Sequence, residues 1–163
     1  VIVDPGDFTE TQVNKREYYD VLGWDDRRID QELTKIEETF EKRREKMSPA
    51  IQRESLVLTD LRANDFQEIR ENPLPNVPVH ILMGGRFDMP IEMRSKEFDN
   101  EALFRSKMEH RMIRWTKVIQ SVDKGMLMYS GDAGHFVHYD DPELLISSVR
   151  MVLQDYYLLK EKK

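Results

Sequence analysis

Cysteine is absent from the sequence. Disulfide bonds, thiolate catalysis and cysteine-ligated zinc are therefore excluded, although the absence leaves the cellular compartment open. No apolar run approaches the roughly 20 residues of a membrane span, and no basic segment followed by an apolar stretch opens the chain. We therefore expect a soluble chain without a membrane span, and we slightly favour the cytoplasm as its location.

Positive charge is scarce relative to negative charge. The chain carries 25 Lys and Arg residues against 31 Asp and Glu residues, a formal net charge of −6. A surface of this sign repels the phosphates of nucleic acids and anionic lipids. The sequence therefore predicts no nucleic-acid partner.

A nucleophile turn is missing as well. The Gly-x-Ser-x-Gly pattern, which exposes a catalytic serine between a strand and a helix, occurs nowhere in the 163 residues. The β-branched residues at the start, Val1 to Val3, read as a strand already under way, and no initiator Met precedes them. We therefore expect that the sequence starts inside a longer fold.

Short strands and helices alternate along the chain. Strands are predicted at 1–3, where we expect a buried strand, and at 79–83 and 126–129. Helices are predicted at 26–47, 49–56, 59–71 and 100–120 and from Pro142 onward, where Asp141 can cap the helix. The alternation predicts an α/β fold with a short, mostly parallel sheet flanked by helices. We divide it into a first core strand and turn (1–8), a helical insertion (9–72) and a second core segment (73–163).

Candidate catalytic residues lie in loops that follow the predicted strands. His135 lies in Tyr129-Ser130-Gly131-Asp132-Ala133-Gly134-His135-Phe136-Val137-His138, where an imidazole can transfer protons at the rim of a sheet. Asp88 ends Pro78-Val79-His80-Ile81-Leu82-Met83-Gly84-Gly85-Arg86-Phe87-Asp88, and a carboxylate there can orient such a base. Asp4 follows the first strand at the same edge of the sheet.

Other histidines are weaker candidates. His138 has Asp132, Asp140 and Asp141 nearby, but we favour a packing role over a metal site. We interpret His80 and His110 as structural or solvated residues. Accordingly, we predict neither a metal ion nor an organic cofactor.

The two histidine- and aspartate-bearing motifs, in this order and spacing, resemble the C-terminal half of the α/β-hydrolase superfamily. In that family a helical cap follows the sixth strand, the triad acid follows the seventh and the triad histidine follows the eighth. The resemblance spans essentially all of residues 1–163. It implies that residues 9–72 are the cap, in which Tyr18, Tyr19 and Trp24 could cover a substrate.

The resemblance also implies roles for the candidate residues. His135 would be the general base and Asp88 the triad acid, with Asp4 as the fallback acid because some members place the acid after strand six. The family's serine elbow and oxyanion-hole amides precede strand six, so the nucleophile would lie outside this chain. The implied activity is that of a serine esterase acting on a small acyl or ester substrate, although the residues themselves do not decide between a serine and an aspartate nucleophile.

A second hypothesis assigns the chain no chemistry. In this interpretation the chain is a noncatalytic binding or assembly module, and the open edge of its first strand pairs with a partner. The first hypothesis requires the N-terminal hydrolase half, and the second requires an edge-pairing partner.

Overall fold

The computed structural model describes residues 1–5, 7–72 and 74–161. The chain forms two compact units. The helical unit is Phe8–Glu71, and the sheet unit combines Val1–Asp7 with Asn72–Lys163.

Four α-helices make up the helical unit. They are α1 (Gln12–Glu17), α2 (Asp26–Arg44), α3 (Pro49–Ala63) and α4 (Gln67–Glu71), with a 3₁₀ turn at Tyr18–Leu22 after α1. The caps follow from the sequence: the Asp25 carboxylate accepts from the Arg28 amide at 2.9 Å, and Ser48 caps α3 with Pro49 in the first turn. Helix α2 ends at Arg44, three residues before the predicted boundary at 47.

The predicted division of the next segment into helices at 49–56 and 59–71 is wrong. Helix α3 continues without a break to Ala63, because no glycine or proline interrupts it, and the Thr59 hydroxyl donates to the Ser55 carbonyl at 2.9 Å within the helix. The break comes later, where Asp65 and Phe66 adopt φ values of 50° and 53°. A left-handed backbone ends helical hydrogen bonding, so α4 starts afresh at Gln67.

Aromatic residues form the core of the helical unit. Tyr18 and Tyr19 are 3% and 1% exposed, and the Tyr19 ring stacks on Trp24 with centroids 5.4 Å apart. Ile29 and Phe66 are also buried. The rings of Tyr18 and Tyr19, which the resemblance placed over a substrate, are thus enclosed by protein.

Three parallel strands form the sheet of the other unit, in the order β1 (Ile2–Val3), β2 (Val79–Gly84) and β3 (Gly125–Ser130). In the register, Val3 lies opposite Leu82, and Met83 lies opposite Tyr129. Helix α5 (Asn100–Ile119) packs against β3, whereas α6 (Val137–Asp140) and α7 (Pro142–Glu161) pack against β2; a 3₁₀ turn lies at Ile91–Met93. The prediction of an α/β fold with a small parallel sheet flanked by helices is confirmed.

The core of the sheet unit is centred on β2. Its apolar residues Ile81, Leu82 and Met83 are completely buried, as is Trp115 of α5. By contrast, Val1 and Ile2 are 42% and 37% exposed, so the prediction of a buried first strand is wrong. In the described part of the chain β1 pairs on one side only, which makes it an edge strand. No described helix is both long and apolar enough to cross a membrane.

Candidate functional site

The loop that carries His135 connects the end of β3 to the start of α6. Ala133 and Val137, on either side of His135, are fully buried and pack with Leu82 of β2. These two apolar anchors fix the loop against the sheet. The imidazole between them is 69% exposed, so its position is set by the backbone while its ring faces solvent.

Asp4 is the carboxylate that meets His135. The distance from its Oδ2 to Nδ1 of the imidazole is 2.5 Å. The Asp4 side chain is only 6% exposed. No hydrogen bond from a described residue reaches Nε2 of His135. A buried acid thus holds one imidazole nitrogen, and the other nitrogen is available to an incoming group.

Strand pairing places Asp4 at this position. The Asp4 amide donates to the Leu82 carbonyl at 2.7 Å, which continues the β1–β2 ladder by one bond. The Asp4 backbone then turns to a φ of 36°, a left-handed conformation that few residues other than glycine adopt and in which Asp is enriched. This turn at the carboxyl end of β1 brings the side chain to the sheet edge that β3 and its histidine loop share.

Two arginines of α5 hold the segment that follows β1. Arg111 Nη1 lies 3.0 Å from Oδ1 of Asp4, and Arg111 Nη2 donates to the Pro5 carbonyl. Arg114 pairs with Asp7. The Arg111–Asp4 contact is an ion pair without hydrogen-bond geometry, since Oδ1 has no hydrogen-bond partner among the described residues. The buried carboxylate therefore has a counter-charge on one oxygen and an imidazole on the other.

Asp88 has a different partner from the one that sequence reasoning gave it. Its Oδ2 lies 3.2 Å from Nη2 of Arg86, and the same nitrogen lies 3.0 Å from Oδ2 of Asp140. Arg86 Nη1 also donates to the Asp132 carbonyl at 2.6 Å. The structure therefore brings Asp4, and not Asp88, to His135, while Asp88 belongs to an arginine-centred cluster beside the loop.

This cluster braces the histidine loop. Asp140 accepts a hydrogen bond from the Gly134 amide at 2.8 Å, and that bond, together with the charge of Arg86, holds the pKa of the Asp140 carboxyl below its ordinary value. Gly134 immediately precedes His135. Backbone contacts join the same two loops, with Arg86 N donating to Ala133 O at 2.9 Å.

Other polar residues of the two motifs contact neighbours within the sheet unit. The Ser130 hydroxyl donates to the Asp141 carboxylate at 3.1 Å, which links the end of β3 to the start of α7. His80 is 1% exposed, and its Nδ1 lies 2.9 Å from the Ser148 hydroxyl. His138 lies against the Tyr139 ring, with centroids 4.2 Å apart. Among the described residues no group of three or more His, Asp or Glu side chains is arranged to hold a metal ion.

Sequence reasoning missed both arginines. Arg86 left a local signal, because a guanidinium two residues before Asp88 competes for that carboxylate. Arg111 left none, since it is one of several charged residues on a long helix and its partner lies 107 positions earlier in the chain.

Comparison with known proteins identifies no relative: no family model, no curated protein and no solved structure matches this chain.

Proposed function

We propose that this chain is the C-terminal portion of an α/β-hydrolase-like serine esterase or acyl hydrolase, in which Asp4 and His135 are the acid and base. The observation that carries the proposal is the 2.5 Å contact between a buried carboxylate and an exposed imidazole. Both residues follow the carboxyl ends of parallel strands, β1 and β3, where such sheets collect functional groups.

The geometry supports distinct roles for His135 and Asp4. If Nδ1–H donates a hydrogen bond to Asp4, Nε2 carries the lone pair and can take the proton of a serine hydroxyl. The serine oxygen then attacks the acyl carbon, and the imidazolium returns its proton to the departing alcohol. Water then attacks the acyl-serine with His135 again as the base, and the carboxylic acid product leaves the regenerated serine. Asp4 stabilises the imidazolium in both half-reactions, and the serine lies outside these 163 residues.

The resemblance of the two motifs to the hydrolase family supports the same proposal. Some members of that family place the triad acid after the sixth strand. Asp4, the fallback acid, follows β1, which is the strand in that position. Asp88, in the position after the seventh strand, is paired with Arg86.

The experiment uses the native protein that contains these residues. We expect a fluorescent fluorophosphonate to label one serine and a short p-nitrophenyl ester to be hydrolysed. His135→Ala and Asp4→Asn should each lower kcat/KM by a factor on the order of 10³ to 10⁴. Asp88→Asn is the matched control and should retain near wild-type turnover. Loss of turnover in Asp88→Asn with full activity in Asp4→Asn would return the acid role to Asp88.

The noncatalytic alternative keeps one supporting observation, the exposed outer edge of β1. A partner strand paired there would complete the sheet without chemistry. The backbone of Val3 faces this outer edge, since Asp4 on one side of it donates to β2. If the native protein takes up no fluorophosphonate label and elutes in a stable complex that Val3→Pro disrupts, the assembly interpretation replaces the hydrolase one.

A further inference from the structure

We infer that Arg111 is a positioning residue that fixes the tautomer of His135 through Asp4. The inference rests on the site of the proposed function, but it concerns a property of the chain that can be measured whether or not an ester is cleaved.

Arg111 supplies the counter-charge for Asp4. A carboxylate with a side chain only 6% exposed is costly to bury unless an opposite charge lies close. Arg111 supplies that charge at 3.0 Å from Oδ1, and its own side chain is only 19% exposed. His135 cannot replace it, because the imidazole is charged only when it is protonated and its ring faces solvent. Arg111 therefore offsets the cost of burying the carboxylate that accepts the hydrogen bond from Nδ1–H.

Arg111 also orients the carboxylate of Asp4. Arg111 contacts Oδ1 with one terminal nitrogen and the Pro5 carbonyl with the other, so the guanidinium spans the side chain and the backbone of the turn after β1. With Oδ1 held towards α5, Oδ2 is directed to His135. The guanidinium can reach Oδ1 and the Pro5 carbonyl oxygen at once because its two terminal nitrogens lie in one rigid plane, whereas a lysine offers a single charged nitrogen.

The same helix provides a matched control. Arg114 lies three residues further along α5 and pairs with Asp7, with side chains 11% and 13% exposed. This ion pair is as enclosed as the Arg111–Asp4 pair and is held by the same two segments. Because the ion-pair partner of Arg114 is Asp7, three residues after Asp4, we expect its loss to weaken the fold without changing the imidazole.

The test reads the tautomer directly. The chain has 4 histidines, so a long-range ¹H–¹⁵N spectrum of ¹⁵N-histidine protein in alkaline buffer resolves each ring, and His135→Gln assigns the signal. We expect wild-type His135 as a single species with the proton on Nδ1. Arg111→Gln should convert it to a mixture of both tautomers, and Arg114→Gln should leave the single species.

Two results would overturn the inference: a folded Arg111→Gln variant that retains the single Nδ1–H species, or an Arg114→Gln variant that loses it to the same extent. If Arg111→Gln does not fold, Arg111→Lys is the deciding variant, because it keeps the charge but not the two coplanar nitrogens. A mixture in folded Arg111→Lys supports the inference, and an unchanged spectrum refutes it.

Turnover separates this inference from the proposed function. In an active enzyme, Arg111→Gln should lower kcat roughly 10-fold to 100-fold with little change in KM, the range seen when the partner that orients a functional residue is removed. An inactive wild-type protein would count against the proposed function alone, since the tautomer spectrum would still report on Arg111.

Discussion

A methyl group added at Gly84 should displace the loop that carries His135. A Cβ atom built on Gly84 would lie 2.0 Å from the Gly134 carbonyl oxygen and 2.8 Å from that of Ala133. Both atoms are backbone, so no side chain can rotate out of the way. Ordinary contact starts at 3.4 Å, and the two loops must therefore separate by roughly 1.4 Å (3.4 − 2.0).

The magnitude follows from what that separation breaks. Overpacking of this kind costs about 1–3 kcal/mol. The Arg86 N to Ala133 O and Gly85 N to Ser130 O bonds, both 2.9 Å, join the loops at this point, and each contributes about 1 kcal/mol. We therefore expect Gly84→Ala to lower the free energy of unfolding by roughly 3–5 kcal/mol. Because Gly134 precedes His135, a shift of this size also breaks the 2.5 Å contact with Asp4.

Urea unfolding measures the stability loss, and the His135 tautomer spectrum measures the loop shift. Gly131→Ala is the matched control in the same loop: its added Cβ would meet nothing closer than a Tyr129 ring carbon at 3.9 Å. That variant should change stability by less than about 0.5 kcal/mol. Equal stabilities for the two variants, with an unchanged His135 spectrum in Gly84→Ala, would refute the reasoning.

Two further predictions concern buried titratable groups. Burial lowers the pKa of His80 below its ordinary value of 6.5, so the folded state binds fewer protons than the unfolded state, and stability should fall as pH drops through 6.5. Urea unfolding as a function of pH should show this slope in the wild type and a smaller one in His80→Gln; identical slopes would contradict it. Burial, with help from the charges of Glu32 and Glu10, raises the pKa of Tyr19 to about 12 from 10.0. Stability should therefore fall by about 2–3 kcal/mol as pH rises from 10 to 12, and Tyr19→Phe should abolish this fall.

Local signals in the sequence predicted most of the secondary structure. The Asp141-Pro142-Glu143 start of α7 is confirmed, with Asp141 Oδ1 accepting from the Leu144 amide at 3.2 Å. Strand β2 extends one residue beyond its predicted end, and β3 is one residue longer than predicted at each end. The division within 49–71 was wrong because the real interruption is a pair of left-handed residues, Asp65 and Phe66, which carry no glycine or proline signal.

The candidate site could be predicted only in part. The position of His135 was readable, since a Gly-His-Phe loop after an apolar strand is a local pattern. Its partner was not, because Asp4 and Asp88 both follow strands and both carry a carboxylate. Arg86, two residues before Asp88, pairs with that carboxylate, and nothing in a linear pattern weighs this contact against a distant histidine.

The sequence by itself determined the alternation of strands and helices, their caps and the loop of His135, because each depends on residues a few positions apart. Only the tertiary structure decided which acid the imidazole meets. That choice depends on the β1–β2 register, which sets Val3 opposite Leu82, on the left-handed turn at Asp4, and on Arg111 reaching from α5. These contacts join residues more than 75 positions apart, so only the folded chain brings them together.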